Sequence, residues 1–198
     1  MPVKFWNKRY AADEYVYGKS PNLFFKEEID KLKPGNLLTL AEGEGRNGVY
    51  AAVNGWQVTA VDYSDEGRKK ALKLAEENNV SLTYYLSSIE GFDFSTNHFD
   101  AVSLIYAHFK PEVRSLIHRN AMKSLRKEGR LFIEAFNKKQ INRETGGPKN
   151  IDMLYDMDEL RNDFDDSKII HAEELTTHIQ EGKYHSGVAD IIRFIVEK

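Results

Sequence analysis

Short apolar runs recur along the chain at residues 37–40, 57–61, 82–86, 101–106 and 129–135. Between most of them lie longer stretches whose apolar residues fall at helical spacing. Residues 24–32 read as a helix that ends at Lys33-Pro34-Gly35, and residues 47–53 as one that stops at Asn54-Gly55. Ser64 is placed to cap a third helix, with Gly67 where a capping box would have Glu, and Ala71, Leu72, Leu74 and Ala75 form its apolar face. Residues 111–125 give a fourth helix: Val113, Leu116, Ile117, Ala121 and Leu125 share one face, while Arg114, His118 and Arg119 read as solvated. Strand alternating with helix predicts an α/β chain with a parallel sheet. Residues 158–164 read as a short helix, and 168–180 and 188–196 as two closing strands joined as a hairpin. Two stretches fall outside the alternation. Residues 1–25 are rich in aromatics, and residues 137–150 are a polar loop containing Thr145-Gly146-Gly147-Pro148. A structureless loop of that length in a compact domain is usually functional or mobile.

The densest signal sits where the first run breaks, at Glu42-Gly43-Glu44-Gly45-Arg46-Asn47-Gly48. Glycines let the backbone approach a ligand where a Cβ would obstruct it, and unpaired N–H groups at a helix start welcome a polar ligand. The second run ends in Asp62, whose carboxylate can accept hydrogen bonds from a ribose diol. Turn plus downstream carboxylate predicts an adenosine-containing cofactor. Gly43, Gly45 and Gly48 spell GxGxxG, which fits a dinucleotide fingerprint. The turn with Glu42 just before it also resembles that of class I methyltransferases, which implies S-adenosylmethionine, a cofactor with an amino group and no pyrophosphate. An ordinary tight turn is the bland reading.

Composition narrows the field. The 198 residues fit one domain, and 41% hydrophobic content is enough for a sizeable core. A net charge of −3 without long like-charge blocks argues against a nucleic-acid partner. Cysteine is absent, which excludes disulfides, Cys-based zinc sites and thiol nucleophiles. No apolar run approaches the ~20 residues of a membrane span, and the first ten residues do not resemble a signal peptide; the expectation is a soluble cytoplasmic protein. His171, His178 and His185 recur every seven residues, but in strands such positions face opposite ways, so no metal site is expected. Neither GxSxG nor GxxxxGK[ST] occurs.

The longer strings AEGEGRNGVY and GWQVTAVDYS resemble class I S-adenosylmethionine-dependent methyltransferases of the tellurite-resistance and thiopurine type. They are most similar to a small bacterial branch that carries AEGEGRN in place of DxGxG. The acid of most class I enzymes would fall at Ala41; here it stands one position later, at Glu42. Trp6, Arg9-Tyr10, Tyr17-Gly18, Pro21-Asn22, the Phe99-Asp100-Ala101-Val102 string and Thr-Gly-Gly-Pro with Met153-Leu154 extend the resemblance. It implies one domain over 1–198, with 1–32 as a helical or lid segment. The implied sheet has seven strands, mostly parallel, in order 3-2-1-4-5-7-6, with the last strand antiparallel and helices on both faces. The implied reaction moves a methyl group from S-adenosylmethionine to a small nucleophile: a thiol, a chalcogen oxyanion or an amine. The implied cofactor contacts are Tyr10, Tyr17, Glu42, Gly43, Gly45, Asn47, Asp62, Tyr63, Ser64, Ser88, Ile89 and Ala107, with Ser88 where an acid often meets the adenine. Asp100 reads as structural and Asp62 as an exposed strand-end carboxylate. His108, just past the fourth strand at the ligand edge of an open sheet, is the candidate to orient or deprotonate the acceptor. The polar loop is placed over the acceptor site. A cofactor-binding protein without catalysis and an NAD(P)-dependent oxidoreductase are the alternatives.

Overall fold

The computed structural model describes residues 3–198. Seven strands form one sheet in the order β3-β2-β1-β4-β5-β7-β6. They are β1 (Asn36–Leu40), β2 (Gln57–Asp62), β3 (Thr83–Leu86), β4 (Phe99–Ile105), β5 (Leu125–Phe136), β6 (Lys168–Gln180) and β7 (Ser186–Glu197). Strands β1 to β5 pair in parallel, and β7 runs antiparallel to both its neighbours. The helices are α1 (Val3–Tyr10), α2 (Leu23–Ile29), α3 (Arg46–Val53), α4 (Asp65–Glu77), α5 (Pro111–Ser124) and α6 (Met157–Asp163). The predicted order of strands is therefore the observed one.

The central runs carry apolar residues at successive positions, broken only by small hydroxyl residues such as Thr39 and Ser103, because the central strands are buried on both faces. Successive residues point to opposite sides. Leu37, Val58, Ala101 and Phe132 pack with Phe24, Phe25, Ile29 and Trp56 on one side. Leu38, Val102, Leu131 and Ile133 pack with Ile117, Tyr155 and Phe194 on the other. Each such side chain, fully buried, contributes roughly 1.5–3 kcal/mol. Asp100 ties strand starts together: its Oδ2 accepts from the Asn36 N–H at 2.7 Å, and Arg126 ion-pairs with it at 3.1 Å.

One expectation from periodicity is corrected. Arg114 and His118 on α5 are not solvated but 5% and 0% exposed. Helix α6 covers that face. Arg114 pairs with Glu159 at 2.6 Å, His118 Nδ1 lies 2.8 Å from Asp163 Oδ2, and the His118 ring stacks against Phe164 and Tyr155. The loop 137–150 is also more ordered than its composition implies, holding a 3-10 turn at Lys138–Asn142, with another following at Ile151–Met153. No helix among the described residues is long and apolar enough to cross a membrane.

Candidate functional site

Past β1 the backbone enters the left-handed region three times, at Ala41 (φ 56°), Gly43 (φ 60°) and Gly45 (φ 92°). Only glycine fits at 45: a Cβ there would come 2.7 Å from Ala71 on α4. The acids beside this turn build it from within. Glu42 Oε1 accepts from the Gly48 N–H at 2.7 Å. Asp62 accepts from the N–H groups of Gly43 at 3.0 Å and Ser64 at 2.8 Å. Asp62 is thus buried, at 5% exposure, and not the exposed strand-end group that its position in sequence implied. Burial pushes its carboxyl up to about 6 and that of Glu42 up to about 7, against the N–H donors that pull both down. Glu44 ties the turn outward, with Oε1 2.5 Å from Lys70 Nζ and Oε2 accepting from the Val16 N–H at 2.9 Å. Ser64 Oγ caps α4 through the Gly67 N–H.

Above the turn, at the carboxyl ends of the parallel strands, lies a cavity of about 950 Å³. Of the residues expected at the cofactor, Tyr10, Tyr17, Glu42, Asn47, Asp62, Tyr63, Ser88, Ile89 and Ala107 line it. Gly43, Gly45 and Ser64 shape the turn beneath. Ser88 Oγ already accepts from the Gly91 N–H at 3.1 Å. The Tyr10 ring stacks on Trp6 and covers Gly43, where a Cβ would lie 2.8 Å from the tyrosine oxygen.

The N-terminal segment is laced to the rest by buried polar groups. The Asn22 N–H donates to Asn47 Oδ1 at 2.9 Å, and its Nδ2 donates to Glu134 at 2.6 Å and Glu181 at 2.8 Å. Arg46 pairs with Glu181 at 2.8 Å, and the Lys183 N–H donates to the Val16 carbonyl. Arg9 donates to the Tyr17 hydroxyl at 2.9 Å.

The far wall is aromatic: Tyr17, Tyr106, Phe136, His108 and His185, with Gly146 and Gly147 of the polar loop over them. Tyr106 holds φ 52°, a conformation that costs a non-glycine residue energy and that clusters at ligand sites. His108 faces the cavity, yet both ring nitrogens meet the backbone. Nδ1 is 2.9 Å from the Met153 carbonyl, and Nε2 accepts from the Phe136 N–H at 3.4 Å. Burial lowers its pKa to about 4. His185, set aside in the sequence as one of three strand histidines, lies in the turn before β7 and packs against Tyr17, Tyr106 and Phe136. The signal for it is topological. A last strand antiparallel to the rest begins at the edge where the parallel strands end, so the turn leading into it borders the ligand side.

The chemistry around the turn suits a cationic cofactor better than a pyrophosphate. Glu42, Glu44 and Asp62 are buried there, while Arg46 and Lys70 are paired with Glu181 and Glu44. Residues 37–129 match the family model described as a methyltransferase domain. That stretch of the chain is similar to methyltransferase domains, and the strand order is that of the class I methyltransferase fold. Among solved structures, the chain is similar to TehB from Haemophilus influenzae, with TM-score 0.75 and 16% identity over 99% of this chain and 66% of that one. It is similar too to the N-methyltransferase NodS from Bradyrhizobium japonicum WM9 in complex with S-adenosyl-L-homocysteine, with TM-score 0.71 and 13% identity over 99% and 97%. The [4+2]-cyclase SpnF shares the fold, with TM-score 0.71 and 13% identity over 99% and 92%. No protein of curated function matches the sequence. The carboxylates at the turn, Asn47, and the Ser88-Ile89 corner line the cavity and are the groups that would hold the amino acid, ribose and adenine of an S-adenosyl cofactor. Among the described residues, no three metal-ligating side chains converge.

Proposed function

We propose that the protein transfers a methyl group from S-adenosylmethionine to a small-molecule nucleophile held against the aromatic wall. The observation that carries this reading is one cavity with two chemically distinct ends. Glu42, Asp62 and the Ser88-Ile89 corner form a polar end, and Tyr17, Tyr106, Phe136 and His185 an apolar one. The sulfonium supplies the activated methyl group, so the chain's task is to align the two molecules and exclude water. Aromatic rings also favour a sulfonium by cation–π attraction, roughly 0.5–2 kcal/mol per ring. The polar loop closes the acceptor end through Gly146 and Gly147. The fold alone does not dictate methyl transfer, since SpnF carries it as a cyclase. Calorimetry with S-adenosylhomocysteine, S-adenosylmethionine and NAD, followed by turnover on a panel of small thiols, chalcogen oxyanions and amines, is the test. Binding of both S-adenosyl compounds, no binding of NAD and methylation of one panel class are the expected results. NAD binding without S-adenosylhomocysteine binding would refute the reading; tight S-adenosylmethionine binding without any turnover would favour a cofactor sensor.

A further inference from the structure

The two histidines of the aromatic wall differ in what their nitrogens do. His108 spends both on the backbone. The His185 ring is fixed on three sides, by Tyr17 at 4.5 Å, Tyr106 at 4.4 Å and Phe136 at 5.2 Å between ring centres. A Cβ on Gly146 would lie 2.8 Å from its Cδ2, so the loop closes on the ring as well. Its Nδ1 is buried, without a hydrogen bond among the described residues, and lies 3.6 Å from Glu181 Oε2. Its Nε2 makes no hydrogen bond to any described residue. Glu181 is itself immobilised by Arg46 and Asn22. A histidine in a hairpin turn has no need of such a cage for folding; a turn side chain can as well point to water.

Building on the methyl-transfer reading, we propose that His185 is the residue that takes the proton from the methyl acceptor, and that Glu181 positions it by holding Nδ1–H inward so that Nε2 meets the reacting atom. The acceptor class follows from the surroundings: a neutral, weakly acidic X–H nucleophile, such as a thiol, selenol or phenol, on an apolar body. Arg46 is committed to Glu181 and Arg9 to Tyr17, which leaves no fixed guanidinium for an oxyanion. In the transfer, the acceptor's lone pair forms the bond to the methyl carbon, and the carbon–sulfur bond breaks with its electron pair left on sulfur. The acceptor's proton passes to Nε2. The imidazolium so formed faces the Glu181 carboxylate, which His185 and Arg46 hold ionised, at about 2, in spite of its burial. The 3.6 Å separation is long for a hydrogen bond, and such contacts tighten as charge develops. The groups that face His185 are Glu181, Arg46, Arg9, Tyr17, Tyr106 and His108. Burial holds His185 below the ordinary histidine value while Glu181 pulls it back up, so the ring is neutral at neutral pH and has a lone pair to accept a proton.

The test compares His185→Gln with the unchanged protein on two probes at pH 7: 2-mercaptoethanol, which is protonated there, and 4-nitrothiophenol, which is already a thiolate. Loss of a general base lowers kcat on the first by roughly 100- to 10,000-fold. The expected loss on the second is less than about tenfold, because no proton has to leave. The acidic limb of the pH–rate profile should vanish with 2-mercaptoethanol, and S-adenosylhomocysteine affinity should stay within about twofold, since His185 lies on the acceptor wall. Equal losses on both probes would make His185 a packing residue and overturn the proposal. A readout independent of turnover is the imidazole ¹⁵N spectrum of the protein bound to S-adenosylhomocysteine. It should show a neutral ring protonated on Nδ1, and Glu181→Gln should mix the tautomers. A ring protonated on Nε2 overturns the proposal even if neither thiol is methylated or His185→Gln fails to fold. Failure of the unchanged protein to bind S-adenosylhomocysteine counts against the methyl-transfer reading instead.

Discussion

Replacing Asp62 with Ala separates a cofactor contact from a structural one, and its magnitude follows from the hydrogen bonds now visible. The N–H groups of Gly43, Tyr63 and Ser64 converge on this carboxylate. A carboxylate offers about four acceptor sites, so about one remains for a ribose hydroxyl. A charge-assisted bond of that kind contributes ~1.5–3 kcal/mol, or roughly ten- to 150-fold in affinity. Stability changes as well. Three buried N–H groups lose their acceptor, at ~1–3 kcal/mol each. Against this, a pKa raised to about 6 means that the ionised group costs ~3 kcal/mol at neutral pH, which the alanine relieves. The mid-range net loss is ~3 kcal/mol, a melting point lower by ~6–12 °C for a chain of this size. The assay is calorimetric titration with S-adenosylhomocysteine well below that melting point, beside a thermal melt of each variant. Asp62→Asn keeps one acceptor oxygen and loses the charge, so its affinity should fall between wild type and alanine. A variant Asp62→Ala that melts lower yet binds S-adenosylhomocysteine at full affinity would show that Asp62 only builds the turn, and the placement of the ribose would be wrong.

Two further outcomes follow from the same geometry. Deleting residues 1–20 removes Tyr10, Val16 and Tyr17 from above the turn while keeping the Asn22 cap of α2, so circular dichroism should report a folded chain and calorimetry an S-adenosylhomocysteine affinity at least about tenfold weaker; unaltered affinity would remove the covering role from those rings. Glu42 holds its proton up to about 7 in the folded state, whereas the unfolded chain releases it at the ordinary glutamate value, so its contribution to stability is lost as pH rises through that window. Urea denaturation should therefore show Glu42→Gln gaining ~2–3 kcal/mol on wild type between pH 5 and pH 8, and an equal difference at both pH values would mean that Glu42 carries no buried charge.

Much of the scaffold could be read from local pattern, because local pattern determines it. Runs such as 37–40 and 101–105 are apolar but for one small hydroxyl residue each, Thr39 and Ser103, since both faces of a central strand are covered, and the breaks at Pro34-Gly35 and Asn54-Gly55 are chemical stops. The Ser64 cap is a contact over three residues. What escaped was decided by distant chain. The polar face of α5 holds Arg114 and His118, and only α6, some forty residues on, makes it an interior. Asp62 looked exposed because a strand end usually is; the backbone that covers it belongs to the Gly43 turn, nineteen residues earlier. The histidines show the same limit. Position past β4 brought His108 to notice, but its engagement by Met153 and Phe136 is tertiary. His185 needed the direction of β7, taken together with the strand order, to be placed at the site.

The hydrogen bond from Asn22 to Glu181 joins residues 159 positions apart. On a ribosome adding 5–20 residues per second, the asparagine waits roughly 8–30 s for its partner. The glycine turn is made early, but the wall opposite it, the clamp on the N-terminal segment and the cage around His185 all depend on the hairpin of β6 and β7. A nascent chain therefore holds half a pocket until residues 168–197 have been made. The pocket is thereby coupled to synthesis of that hairpin, and a chain truncated before it would lack the far wall however well its early strands had folded.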